Sequence, residues 1–285
     1  MNVMKFAIPL FVALAFGSSQ ALATPILGSE LGSFTVLGAS TVTNTGATTL
    51  TGNLGVYPGS SITGTATITL NGTIHIADAL AQSAQGQLGN AMTSLGLLGP
   101  GTTLSSNLTG LTLLPGVYTV PAGTTNLAGT LTLNGNGNAN AFWVFQMPST
   151  LITSPGSVVD LINTGAGAGV YWNVGSSATL DTTTSFIGNI LALASITMDT
   201  GATISCGRAL ANTGAVTMDT NTLSIGCLGT GAVGSNGLSG GLTVPVTGGT
   251  PTPLPFTPVP EPNPFLLFCF SLAVLFIFRK KLVRE

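Results

Sequence analysis

The sequence predicts a mainly β fold, a β-solenoid (β-helix) of short coils with one long α-helix packed alongside. Three observations predict it. A short motif recurs: Ile196-Thr-Met-Asp-Thr200 returns 20 residues later as Val216-Thr-Met-Asp-Thr220, and Ala178-Thr-Leu-Asp-Thr182 precedes it by 18. Weaker copies stand at Ile68-Thr-Leu-Asn-Gly72 and Leu131-Thr-Leu-Asn-Gly135. Within each unit, β-branched residues alternate with period two and bends fall at Gly, Asn and Asp. Such a unit is too short for a βαβ crossover, so it is one coil, stacked on the next at about 4.8 Å. Finally, one Ala- and Gln-rich stretch, Ile76–Leu95, changes the period. Ile76, Leu80, Ala84, Leu88, Ala91 and Leu95 form one helical stripe, which a marginal isolated helix must bury to persist.

In chain order, Met1–Ala23 reads as a secretory signal. Lys5 gives the charge, Phe6–Phe16 the apolar core and Ala21-Leu22-Ala23 the cleavage site. The body then runs over residues 24–227. Leu27–Gly72 carries the first coils, in pieces such as Phe34-Thr-Val-Leu37 and Ala66-Thr-Ile-Thr-Leu70. After the helix come Val117-Tyr-Thr-Val120 and the aromatic Ala141-Phe-Trp-Val-Phe-Gln146. There Trp143 and Phe145 share one face, Phe142 and Val144 the other. Residues 228–258 are rich in Gly, Pro and Thr and read as an extended, flexible linker. Residues 259–285 form a tail: Pro260-Glu261-Pro262, the apolar run Phe265–Phe278, then Arg279, Lys280 and Lys281. That run has 14 residues, short of the roughly 20 of a free-standing span, with a cytoplasmic-type basic stop behind it.

Charge excludes several functions. Only 5% of the chain is charged. Between Thr24 and Pro258 stand six acids, Glu30, Asp78, Asp160, Asp181, Asp199 and Asp219, against one base, Arg208. There is no basic patch for nucleic acid. An enzyme of the polysaccharide-cleaving β-helix type needs clustered acids and bases. His75 is the single histidine and reads as packing, so no catalysis and no cofactor are expected. Asp181, Asp199 and Asp219 share one repeat position. The glycine-aspartate nonapeptide of calcium solenoids is absent, so they read as turn residues bonding their own backbone, and no metal is expected.

Cys206 and Cys227 stand 21 residues apart, about one coil. Stacked positions lie near the 4.4–6.8 Å that a disulfide needs, roughly. In a secreted chain they predict a bridge tying the last coil to the one before it. Cys269 lies in the tail.

Two resemblances extend this reading. Val259-Pro260-Glu261-Pro262, the short apolar run and Arg279-Lys280-Lys281 resemble the PEP-CTERM sorting signal of Gram-negative bacteria. That resemblance implies exosortase as a partner, cleavage near the tripeptide and a secreted or cell-surface location, with membrane contact only through the tail. The body resembles the microbial ice-binding proteins built as a discontinuous β-solenoid with a flanking helix. The carrying pieces are Leu54-Gly-Val-Tyr-Pro-Gly59, Leu114-Pro-Gly-Val-Tyr118, Phe142-Trp-Val-Phe-Gln-Met147, Gly169-Val-Tyr-Trp-Asn-Val-Gly175, Asn189–Ile196, and Gly207-Arg-Ala-Leu-Ala211 followed by Gly214-Ala-Val-Thr217. It implies one right-handed solenoid in which N- and C-terminal parts interleave, and an ice crystal as the ligand.

A Thr-rich face suits that ligand, because each hydroxyl bonds water while each methyl favours a cage-like shell. The family's Thr-Ala/Gly-x-Thr/Asn pattern matches Thr45-Gly46-Ala47-Thr48 and Thr200-Gly201-Ala202-Thr203. Thr63 and Thr65, Thr182 and Thr184, and Thr220 and Thr222 are the candidates on other coils. The expected function is therefore a monomeric antifreeze-like protein. The alternative is a non-enzymatic surface adhesin or matrix protein.

Overall fold

The structure is a computed structural model that describes residues 24–227, 232–245 and 249–259. The expected signal peptide (1–23) and the tail residues Pro260, Glu261, Pro262, Arg279, Lys280 and Lys281 lie outside the described residues. Among the described residues, no helix is long and apolar enough to cross a membrane.

The strands stack in parallel on three faces. The first face runs Leu151–Ile152, Ala178–Leu180, Ile196–Met198, Val216–Asp219, Thr41–Thr45, Ser61–Thr63. The second includes Thr130–Asn138, Val158–Thr164, Thr222–Ser224, Thr48–Thr51 and Ile68–Asn71. The third includes Phe142–Met147, Gly169–Val174, Phe34–Gly38 and Asn53–Val56. Two long strands, Ser185–Ala192 and Thr203–Ala211, serve both the second and the third face. They turn the corner where the register slips between Ile187 and Gly188, and there Cys206 is the extra residue, at φ 56°.

Stacking order is not chain order. Val216–Asp219 pairs with Ile196–Met198 on one side and Thr41–Thr45 on the other. Phe34–Gly38 pairs with Thr203–Ala211 and with Asn53–Val56. One coil is thus built from both ends of the chain, the interleaving that the resemblance implies.

Inward side chains fill the interior. Phe145 stacks on Trp172 with ring centroids 3.9 Å apart, and Tyr118 and Phe186 extend the column. Trp143 and Phe145 point inward as expected, while Val144 and Phe142 face the helix. The helix covers Ala79–Gly96, not Ile76–Leu95. Its start is set by Ala77 at φ 50° and by Asp78, whose carboxylate caps the Ala81 amide. That hydrogen bond, then the one from His75, holds the Asp78 carboxyl below its usual range. Ile76 belongs to the strand Ile74–Ile76 and is 46% exposed. Ala81 takes its place in a stripe with Ala84, Leu88, Ala91 and Leu95, packed on Leu31, Phe34, Leu37, Tyr171, Leu191 and Leu210. His75 bonds Asp78 and sets its ring edge-on to Phe34.

The expected free linker is corrected by the structure: its described parts form a strap docked on the body. Asn236 and Gly237 give their carbonyls to Arg208, Tyr171 donates to Gly240, and Leu238 and Leu242 are buried. Leu242–Val244 pairs antiparallel with Thr24–Pro25 and with Thr252–Pro253. The strap runs on to Gly137, which accepts from the Val259 amide at 2.9 Å. Gly- and Pro-rich composition resembles a tether, but these anchors are backbone groups that composition does not reveal.

Cys206 and Cys227 are bridged, with Cα atoms 4.6 Å apart. One part of the expectation changes. The coil ending at Cys227 is not at the end of the stack, because Thr48–Thr51 covers Thr222–Ser224. Replacing both cysteines by serine should cost about 3 kcal/mol by the chain-entropy estimate. For a domain of this size that lowers Tm by roughly 6–12 °C. Alkylation of both thiols in the unreduced domain would contradict the bridge.

Candidate functional site

The helix closes the third face; among the described residues, the first and second are left open. On the second face, alternate residues point outward while Leu50, Leu70, Leu223, Ile204 and Phe186 between them point in. The registers align one outward rank as Thr69, Thr49, Thr222, Thr203 and Ser185. A second rank runs Asn71, Thr51, Ser224, Ser205 and Ile187. Neighbours in a rank lie one strand spacing apart, about 4.8 Å, and the ranks are two residues apart, about 6.6 Å. Beyond Ser185 the first rank meets Val158 and Thr130, and two residues further along these strands Asp160 pairs with Thr132. Asp160 is the one charged side chain in these ranks. Among the described residues, the hydroxyls of Thr49, Thr51, Thr69, Thr222 and Ser205 make no hydrogen bond within the protein, so they are left for water. Thr203 reaches Thr184 O at 3.4 Å, and Ser224 bonds Gly226.

The first face has a single rank, Thr179, Thr197, Thr217, Thr43 and Thr63. Only Thr63 in it is exposed; the other four are half-buried.

The ten predicted threonines are scattered by this geometry. Thr203 and Thr222 stand in the first rank of the second face. Thr63 is on the first face. Thr45 ends the first-face strand Thr41–Thr45, and Thr65, Thr182, Thr200 and Thr220 lie at the corner between the two faces. Thr48 and Thr184 are corrected: they are 1% and 0% exposed and point inward. Thr48 accepts from the Asn221 amide, and Thr184 bonds Thr153. The cause is register. Thr203 pairs with Ser185 on one side and with Thr222 on the other, and Thr222 pairs with Thr49. The inward residues that precede Thr203, Ser185, Thr222 and Thr49 are Ala202, Thr184, Asn221 and Thr48. The second threonine of one motif copy, Thr203, therefore faces out, while that of the other, Thr48, faces in: the copies are offset by one residue. The outward residues missed by motif matching, Thr49, Thr51, Thr69 and Ser205, carry a signal all the same. Each flanks an inward Leu or Ile at period two.

The stacked aspartates are corner residues. Asp181 accepts from the Thr182 amide, and Asp219 accepts from the Thr200 and Thr220 hydroxyls. The Thr200 bond, then the Thr220 bond, lowers the Asp219 carboxyl below its usual range. No group of three or more His, Cys, Asp or Glu that could hold a metal occurs among the described residues. Arg208, the one base of the body, is fully buried and takes no part in either open face.

Residues 36–224 match the family described as Ice-binding-like. An ice-binding protein of Nostoc sp. (strain HG1) is 48% identical over 227 residues, covering 78% of this chain and 83% of that protein. An ice-binding protein of Colwellia sp. is 31% identical, covering 78% and 93%. Among solved structures, an ice-binding protein from an Antarctic biological consortium is 42% identical, with a TM-score of 0.64, covering 77% of this chain and 96% of that one. That of the ascomycete Antarctomyces psychrotrophicus is 36% identical, with a TM-score of 0.66, covering 71% and 98%.

Proposed function

The chain belongs to the ice-binding-like family, and on that premise we propose that it adsorbs to ice through its second face and inhibits ice growth or recrystallisation without catalysis. The observation that carries this reading is the pair of outward ranks, Thr69 to Ser185 and Asn71 to Ser205. Their hydroxyls are spaced by the β-sheet itself, on strands whose other side is packed core. A rigid array with almost no charge can order water without gripping ions. Thr203 and Thr222 remain proposed contacts, and Thr45, Thr65, Thr182, Thr200 and Thr220 form the rim at the corner.

We further propose how the domain is wound, exported and displayed. The winding is right-handed, in keeping with the general hand of parallel β connections. Residues 1–23 direct export. The tail, with Pro260-Glu261-Pro262 and Arg279-Lys280-Lys281, is handled by an exosortase, so the domain reaches the cell surface or surroundings of a Gram-negative bacterium and works there as a monomer.

Crystal sizing in a frozen sucrose film tests the central claim. Purified protein should keep ice grains small, and single crystals should grow faceted. If neither effect is seen at any concentration, the surface-adhesin or matrix reading replaces this one.

A further inference from the structure

We propose that the end of the strap, Leu254–Val259 with Phe256 at its tip, rests on the lipid bilayer as long as the tail is in it. The inference depends on the reading of residues 259–285 as a membrane-inserted sorting tail.

The strap end is fixed to the body. Ala139 N donates to Thr257 O at 2.6 Å, and the Asn140 side-chain amide donates to Pro255 O at 2.9 Å and Thr257 Oγ1 at 3.0 Å. Phe256 sits between these two anchors and is 65% exposed. Val233 is 62% exposed, and these two exceed every other large apolar side chain among the described residues. Their chain surroundings meet the loop 165–167. Gly167 packs against Asn140, and a Cβ on Gly234 would lie 3.8 Å from Ala166. The exposed Phe256 therefore sits on the segment from which the chain leaves the body, and Val233 is carried by the loop beside Ala166.

Chain length brings that place to the membrane. Five residues, Pro260 to Pro264, separate Val259 from the apolar run that starts at Phe265. Fully extended, they span at most about 20 Å. The headgroup layer takes up roughly 5–8 Å of that on each side of the hydrocarbon. A domain tethered so closely meets the bilayer with the surface around its exit point. That surface suits a bilayer interface. Residues 232–259 contain no charged side chain, so none must be desolvated. An exposed phenylalanine ring can bury at the boundary between headgroups and acyl chains.

The contact would also set the domain's orientation. The exit lies at Asn138, the end of the long strand Thr130–Asn138. In the first outward rank, six coils separate Thr130 from Thr69, in the order Val158, Ser185, Thr203, Thr222, Thr49, Thr69. At the strand spacing this is about 29 Å. The hydroxyl block thus extends away from the bilayer end of the stack.

Brominated-lipid quenching tests the proposal on the full chain reconstituted in phosphatidylcholine vesicles. Three single variants are compared with the parent, whose Trp143 and Trp172 are buried in the core and supply a constant background. Leu272→Trp reports on the tail, Phe256→Trp on the strap end and Ile76→Trp on the far end of the stack. The added emission of the first two should be largely lost on brominated lipid, and that of the third retained. Quenching at 272 without quenching at 256 overturns the contact and leaves the tail reading intact. Equal quenching at 256 and 76 overturns it as well, since the body would then lie on lipid without a fixed side. No quenching at 272 refutes the tail reading, and the contact falls with it.

Discussion

Replacing Arg208 by Met will destabilise the domain by about 3–5 kcal/mol through the buried acceptors it orphans, although Arg208 takes no part in either open face. The guanidinium is fully buried and has no carboxylate partner among the described residues. Its donors go to oxygens: Gly32 O from Nε and Nη2, Asn189 Oδ1 and Gly237 O from Nη1, and Asn236 O from Nη2. Burial lowers its pKa to about 10, which still leaves it charged at neutral pH. These contacts join three separate segments: the turn before the first interleaved strand, the long strand Ser185–Ala192, and the strap. Methionine fills much of the volume but leaves Gly32 O, Gly237 O and Asn189 Oδ1 facing no donor. Asn236 O keeps the Ser239 hydroxyl. Against a total stability of about 5–15 kcal/mol, the loss is a large fraction. Thermal melting with circular dichroism measures it. A variant that melts within about 2 °C of the parent would show that the clamp is not holding the segments together. Arg208→Lys should fall between the two, because three donors on a flexible stem cannot reach all three segments.

This arginine marks where sequence reading stops. The coils are legible because Thr-Met-Asp-Thr returns at nearly the length of a turn. The disulfide is legible for the same reason, since its spacing is one coil. The helix face is legible from Ala84, Leu88, Ala91 and Leu95. Its start is misplaced because a strand and a helix meet at Ile76–Ala77, where apolar spacing fits both. Arg208 is visible in the sequence as a lone base inside the Gly207–Ala211 piece, with nothing to show what it holds. Its partners are main-chain carbonyls, and carbonyls look alike at every position. The strap is hidden for that reason: a run such as Asn236–Gly241, rich in glycine and without charge, describes a tether as well as it describes a chain pinned through its backbone. The face is half legible. Threonine content points to it, but the motif places Thr48 outward, and Thr184, a candidate from a neighbouring coil, is buried too. A corner offset of a single residue decides the matter, since each step along a strand reverses the side chain.

That offset supplies the second large effect. Thr222→Tyr should cause a several-fold loss of recrystallisation inhibition at equal concentration, with melting unchanged. Thr222 is exposed and lies mid-rank, between Thr203 and Thr49. A phenol there stands above the plane of its neighbours. Dispersion contact falls off within about 1 Å of added gap, so one raised group lifts Thr49, Thr203 and Ser205 away from a flat crystal surface together. Thr63→Tyr places the same ring on the first face, at the last coil of its rank, and should leave inhibition near the parent value. Thr48→Tyr forces the ring into the core and removes the acceptor for the Asn221 amide. It should lower Tm first and inhibition only as a consequence of unfolding. Measuring inhibition and melting side by side for the three separates the faces. Equal loss of inhibition from Thr63→Tyr and Thr222→Tyr, with both folds intact, would move the ice contact from the second face to the corner between the two.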